Sequence, residues 1–403
     1  MRGGRTRKSY RFPRLARIMS EPPGVTIIVV NYNYELFLAA AIDSALGQNH
    51  PHCEVIAVDD CSTDNSVAVI AGYGDRIRSV LRKTNGGQVE ALNSAWPLAR
   101  YPILIFLDSD DLLLAHAAAT VAARWTPATV KIQAPLVTVD QTGREIGHVS
   151  PRYPPDLDTA RIRAELLRTG GAPNSPASGN AYSRSLLEAV AGDGGFDLDV
   201  PRRYWMDTIL TCNAPFFGEV ISLSKPFACY RIHTENLYRL TVADASQFTR
   251  LLTYFAYEIE YFTGRCRSWG VPFDPVAARN HSLWALECRL IADKLAYNNS
   301  PAVTGSSHHP VRSLFRALRV FVRARLPMLT RIIGAGWLIV VAVSPQSIAR
   351  PLIALRFIPS ARPAWFAYAH RRLTGHNAGR GRRVSSGRLQ EDDKCSAPSR
   401  SSR

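Results

Sequence analysis

A chain of 403 residues, 46% hydrophobic and 20% charged, can bury one large core or two ordinary ones, which excludes a disordered chain, a collagen-like repeat and a polytopic membrane protein. The net charge of +16 sits at the ends: residues 1–20 hold seven Lys/Arg and no acid, residues 301–403 hold 18 basic and three acidic residues, and residues 21–300 are left at −6. A basic nucleic-acid groove on the folded body is thereby disfavoured, and the charge concerns what the ends touch.

In chain order, Val25–Val30 is a β-branched run that predicts a buried strand ending at Asn31-Tyr32-Asn33. Glu35–Leu46, with Leu36, Ala39, Ala40, Ala41 and Leu46 near helical spacing, predicts a helix. Glu54–Val58 predicts a second strand stopping at Asp59-Asp60, after which Asp64 stands where an N-cap belongs before Ser66–Ala71. Ile77–Leu81 predicts a third strand, Gln88–Ala99 a helix, and Ile103–Leu107 a fourth strand running into Asp108-Ser109-Asp110-Asp111. This alternation predicts an α/β domain with a mostly parallel sheet and helices on both faces. Further on, Val130–Val139 and Arg144–Val149 predict strands, Pro151–Asp158 and Gly170–Ser178 are loop-rich, Phe248–Tyr261 and Ser282–Tyr297 predict helices, and Ser300–Pro310 reads as a linker.

Polar residues collect just past the carboxyl ends of strands one, two and four: Asn31 and Asn33, Asp59 and Asp60, and Asp108, Asp110 and Asp111. Open α/β sheets place ligands at that edge, although each Asp taken singly also suits a turn or a cap. A carboxylate cluster with no Cys or His beside it in sequence suits a hard divalent cation, Mn2+ or Mg2+, shared with phosphate. Neither G-x-x-x-x-G-K-[ST] nor G-x-G-x-x-G occurs, which argues against a P-loop or dinucleotide fold. Gln88 and Asn93 lie in the helix after Gly86-Gly87, where backbone N–H groups can meet a phosphate or sugar. Seven cysteines without C-x-x-C or zinc spacing suit a reduced compartment. Pro22 and Pro23 precede any long apolar run, so no secretory signal is expected, and Met19 is an alternative start.

The segments VTIIVVNYN, VDDCSTDNS at Val58–Ser66, TNGGQVEALNSAWPLA at Thr84–Ala99 and LDSDD at Leu107–Asp111 resemble the GT-A fold, nucleotide-sugar-dependent glycosyltransferases of family 2. Ser178-Gly179-Asn180, Gly195-Phe196-Asp197, Trp205-Met206-Asp207 and Tyr230-Arg231-Ile232-His233 follow in the family's order, so the resemblance covers about residues 24–240. It implies a GT-A (Rossmann-like) domain over 21–240. It also implies a nucleotide-diphosphate sugar donor held near Asn31, Tyr32, Asn33, Asp59, Asp60, Gln88, Asn93 and Asp108, a metal near Asp110, Asp111 and His233, and Asp207 as the catalytic base. Two positions depart from the family: Cys61 stands where glycine is usual, which matters if that turn needs a positive φ, and Met206 replaces an acid that commonly precedes the base.

One base acting in a single displacement inverts the anomeric centre, so the expected activity is inverting, metal-dependent transfer to an envelope glycan or lipid-linked acceptor. Residues 241–300 read as a helical extension, 301–375 as a basic, amphipathic, membrane-associating region, and 376–403 as a disordered basic tail. Arg312, Arg316, Arg319 and Arg323 share one helical face opposite Leu314, Leu318, Phe321 and Val322, as in helices that lie on anionic lipid. Ile332–Val343 is apolar but short of a bilayer span, so it reads as an interfacial or re-entrant segment, or as a core helix. The expected location is peripheral, at the inner face of the cytoplasmic membrane. Alternatives are a non-catalytic nucleic-acid-binding protein, suggested by the basic ends, and a nucleotidyltransferase, which lacks here an early Lys/Arg-rich loop to clamp a triphosphate; nucleic acid is not expected as a partner.

Overall fold

The computed structural model of this protein describes residues 22–151, 153–154, 157–196, 205–233, 236, 243–297, 310–324 and 327–358; the basic arm over 1–20, residues 300–309 of the expected linker, residues 359–375 of the expected membrane-associating region and the tail over 376–403 lie outside them. Strand β1 (Val25–Asn31) leads through helix α1 (Glu35–Leu46) to β2 (Cys53–Asp59), α2 (Ser66–Ala71), β3 (Arg78–Leu81), α3 (Gln88–Ala95) and β4 (Ile103–Asp108). There follow β5 (Leu112–Leu113), α4 (Ala117–Arg124), β6 (Thr129–Gln133), β7 (Leu136–Val139), β8 (Glu145–Ser150), α5 (Thr159–Thr169), β9 (Asn180–Ser183), α6 (Arg184–Gly192), α7 (Met206–Phe217), β10 (Glu219–Ser222) and β11 (Ala228–Arg231). The described chain closes with α8 (Ala245–Trp269), α9 (Pro275–His281), α10 (Leu283–Tyr297), α11 (Pro310–Arg323), α12 (Met328–Val343) and α13 (Gln346–Phe357).

A seven-stranded sheet has the order β10-β6-β9-β4-β1-β2-β3. Strand β1 pairs parallel with β2 and with β4, β2 pairs parallel with β3, and β9 runs antiparallel between β4 and β6. Because side chains alternate across a strand, the β-branched runs feed two cores at once. Ile28, Val30, Ile56, Val58, Leu104 and Phe106 pack on one face with α3, α6, α7 and α8. Val25, Ile27, Val29, Val55, Ala57, Ile103, Ile105 and Leu107 pack on the other with α1, α2 and α4. The expected mostly parallel α/β sheet with helices on both faces is thus what the chain forms. Its strand order reverses between β1 and β4, which is where such sheets open a ligand crevice.

Three expectations about elements change. The run 130–139 is two strands, because Pro135 has no N–H for a ladder and Ala134 instead donates its N–H to the Gly179 carbonyl (2.9 Å); β7 then joins a second sheet, β5-β11-β7-β8. Helix α3 stops at Ala95, where Pro97 forces a tighter turn over Trp96–Leu98. Helix α8 extends from the Asp244 cap, whose carboxylate accepts the Ser246 N–H, to Gly270 at φ +68°, well beyond the apolar run that marked it.

The last three helices cover α8 and α10. Leu314, Ala317 and Phe321 of α11 are buried with Leu286 and Leu290 of α10 and Leu338 of α12, so much of the apolar side expected to meet lipid is packed inside the protein. Val341, Ala349 and Ile353 join Phe248, Cys288 and Ile291 in a neighbouring cluster. Among the described residues no helix is long and apolar enough to cross a membrane.

Candidate active site

The sheet's carboxyl edge is organised by the turn after β2. Asn31 donates from Nδ2 to Asp59 Oδ1 (2.8 Å), and Ser62 donates to the same carboxylate from its hydroxyl (2.6 Å) and its N–H (2.8 Å). Asn33, in the left-handed region at φ +57°, accepts the Thr63 N–H at its Oδ1 (2.7 Å). Asn31 and Asp59 therefore tie β1 to β2, while the Asn31 Oδ1 atom is buried without a hydrogen-bond partner among the described residues, and the next residue, Tyr32, is exposed. Asp64, expected to cap only α2, accepts the N–H of both Glu35 (2.9 Å) and Ser66 (3.0 Å), so one carboxylate serves two helix starts.

Asp60 is buried and fully engaged. It pairs with Arg82 (2.5 Å) and accepts the N–H of Gly86 (3.1 Å) and Gly87 (2.6 Å), where Gly87 adopts φ +84° at the start of α3. Its carboxylate thus shapes the 82–87 loop before any ligand is considered. Cys61 lies at φ +64°, so this turn does require the conformation that glycine takes freely. A left-handed L-residue costs roughly 1–2 kcal/mol and glycine's extra chain entropy offsets part of the relief, so Cys61→Gly should stabilise the fold by about 0.5–1 kcal/mol. A denaturant midpoint that stays put or falls contradicts that reading of the turn.

Asp108, Asp110 and Asp111 meet at the end of β4, each offering a carboxylate oxygen within 4.8 Å of the others. Their surroundings differ. Asp111 is buried and saturated, accepting Ser178 Oγ (2.6 Å) at one oxygen and the Arg231 N–H (2.9 Å) at the other. Asp110 faces His233, whose Nε2 lies 3.0 Å from its Oδ2, and the His233 ring is packed against Phe37 and Tyr34. Arg231 also donates from Nε to the Asp110 carbonyl (2.7 Å), which locks the turn to β11. Asp108 accepts Gln88 Nε2 (2.9 Å). Burial, then the charges of Asp110 and Asp207, hold the Asp108 carboxyl up to about 8, and burial with the Asp110 and Asp108 charges pushes Asp111 well above the carboxylate range. Three carboxylates gathered this closely resist ionising together, and they are an oxygen donor set that suits a divalent cation.

Asp207 enters from the first turn of α7. Gln88 bridges the two halves of the site, since its Oε1 accepts the Met206 N–H (3.3 Å) while its Nε2 serves Asp108. Met206 itself is buried in the core, so the position where an acid is usual contributes packing and a backbone N–H. Asn174 donates to Asp207 Oδ2 (3.2 Å) and accepts Lys131 Nζ at its Oδ1 (2.7 Å); Lys131, 1% exposed on β6, also donates to Thr211 Oγ1 (2.7 Å). Burial pulls Lys131 down to about 7 against the Asp207 charge. Burial likewise raises Asp207, opposed by Lys131, the Thr208 N–H and Asn174, and it holds nearby Glu258 up to about 7 together with the Asp207 charge.

Asn31, Asn33, Asp59, Asp60, Gln88, Asp108, Asp110, Asp111, His233 and Asp207 are therefore joined by one set of turns and hydrogen bonds around the β1–β4 crevice. Asn93 is engaged elsewhere: its Oδ1 accepts the Trp96 indole N–H (3.1 Å). Sequence reading missed Lys131, Asn174, Glu258 and Asn236, whose Oδ1 accepts the His233 N–H (2.7 Å) and whose Nδ2 lies 3.4 Å from Asp110 Oδ2. The available signal was Lys131 itself, a lone charge within the strand sequence TVKIQ.

The model of glycosyl transferase family 2 matches residues 26–190. An uncharacterized glycosyltransferase of Nostoc sp. is 35% identical over 221 residues, 53% of this chain and 66% of that protein. The putative teichuronic acid biosynthesis glycosyltransferase TuaG of Bacillus subtilis is 39% identical over 92 residues, 22% of this chain and 36% of its own length. The chain thus spans less than two thirds of the length of these relatives. A mannosyltransferase from Pyrobaculum calidifontis, solved with GDP-Man and Mn2+, superposes with a TM-score of 0.46 at 19% identity, covering 82% of this chain and 88% of that one.

Proposed function

We propose that residues 26–190, which the model of glycosyl transferase family 2 matches, work as a glycosyltransferase domain, and that this chain transfers a sugar from a nucleotide-diphosphate donor to a hydroxyl of an envelope glycan or lipid-linked acceptor, with inversion, at the inner face of the cytoplasmic membrane. The observation that carries the reading is the Asp108–Asp110–Asp111 cluster at the topological switch, linked through Gln88 to the helix that presents Asp207. The hard oxygen donors and their mutual repulsion fit Mn2+ or Mg2+, with Asp108 and Asp110 as ligands, Asp111 anchoring the turn and His233 orienting Asp110. Bound there, the ion would neutralise charge developing on the leaving nucleoside diphosphate.

The remaining work falls to the chain's own groups. Asp207 takes the proton of the acceptor hydroxyl as that oxygen attacks the anomeric carbon, and the nucleoside diphosphate departs from the opposite side. Asn174 holds one Asp207 oxygen, and the Lys131 charge behind it favours the ionised base. The unpartnered Asn31 Oδ1, the exposed ring of Tyr32 and the Asp60-shaped 82–87 loop offer contacts for the nucleoside. Among the described residues nothing in the site favours the nucleic-acid or nucleotidyltransferase alternatives.

Calorimetry with UDP, GDP and dTDP, each with and without Mn2+, tests this reading. One of them should bind at least tenfold more tightly with the metal. Binding that ignores Mn2+ contradicts the metal role, and absence of binding by all three contradicts the nucleotide role.

A further inference from the structure

Helix α12 is apolar on two sides, and only one of them is packed. Gly334, Leu338, Val341 and Ala342 face the protein, where the Phe321 ring packs into the space that a Cβ on Gly334 would occupy. On the other side Met328, Leu329, Ile332, Ile333, Ile339, Val340 and Val343 are each between 42 and 71% exposed. At helical spacing these seven occupy an arc of about 140°, wider than the apolar stripe of an ordinary surface helix. Phe315 and Val322 of α11 are exposed as well, and the Arg331 guanidinium donates to the Val322 carbonyl (3.1 Å), which places that strip beside the start of α12. The arginines Arg312, Arg316, Arg319 and Arg323 run along the same exposed side of α11. Residues 310–358 contain no Asp or Glu at all.

We propose that this face is a docking surface for an anionic lipid bilayer, with α12 lying in the interface and the α11 arginines on the headgroups. The proposal deepens the membrane placement given above by naming the surface that makes it. An apolar arc in a segment whose only charged residues are arginines is complementary to a leaflet with an apolar interior and a negative rim. A second copy of the chain would bring two arginine rows towards each other with no carboxylate in either to pair them, so like charge opposes a symmetric dimer here. At 16 residues α12 is about 24 Å long, too short to span, which leaves it in the plane of the membrane. The helices that carry it are anchored to α8 and α10, so docking would hold the catalytic domain at a fixed distance from the lipid.

Co-sedimentation of the full chain with vesicles of phosphatidylcholine alone, or with 30% phosphatidylglycerol, tests the proposal without reference to glycosyl transfer. The wild type should bind the anionic vesicles at least tenfold more tightly than the neutral ones and keep part of that binding in 0.5 M NaCl. The exposed double substitution Ile332→Asp with Ile339→Asp should weaken binding at least tenfold with an unchanged circular dichroism spectrum, and Arg312→Gln, Arg316→Gln, Arg319→Gln and Arg323→Gln together should remove the preference for anionic lipid. The proposal is overturned if the wild type stays in solution, if the double variant binds as well as wild type, or if the wild type is a dimer that this variant splits.

Discussion

Asp110→Ala should lower metal-dependent transfer by about 10³-fold or more, since the leaving diphosphate then lacks its counter-charge. Its neighbour behaves differently. Asp111→Ala removes the acceptor for Ser178 and for the buried Arg231 N–H, and each donor left unpaired costs about 1–3 kcal/mol, so that variant should lose stability along with activity. Asp110→Ala should instead melt close to wild type, because its carboxylate faces His233 and the crevice. Turnover and melting temperature measured side by side separate a ligand from an anchor. Full turnover in Asp110→Ala places the metal elsewhere.

Asp207→Asn keeps the shape and the Asn174 contact of the side chain but cannot take a proton, so transfer should fall by roughly 10²–10⁴-fold while donor affinity survives. The pH profile gives a second readout. Burial raises the Asp207 pKa and the base works only when ionised, so wild-type transfer should climb with pH along an acidic limb lying above the ordinary aspartate range. In the asparagine variant the step of that limb that belongs to Asp207 should be lost, leaving only what Asp108 and Glu258 contribute. Equal losses of donor binding and of rate would mark Asp207 as a structural residue.

Much of the site was legible because it obeys local rules. The apolar runs of β1, β2 and β4 are each followed at once by polar residues, and strand alternation with parallel pairing brings Asn31, Asp59 and Asp108 to one edge without further information. Lys131, Asn174 and Glu258 were not legible because their meaning lies between elements. A lysine in β6, a loop amide and a carboxylate in α8 become neighbours of Asp207 only once α7 has packed across the sheet. The same holds for the last helices: periodicity showed that α11 has an apolar face, but only the packing of Leu314 and Phe321 against α10 and α12 moved the exposed apolar surface onto α12. Cys61 is the reverse case, where a departure from the family's glycine was visible and its strain was not.

The most direct measurement is turnover of a panel of UDP-, GDP- and dTDP-sugars by the full chain with Mn2+, followed by NMR of the anomeric proton in the product. One donor should release its nucleoside diphosphate, stop on addition of EDTA, and yield a product inverted relative to that donor. Turnover indifferent to EDTA, a retained anomeric configuration, or no turnover of any donor would contradict the account.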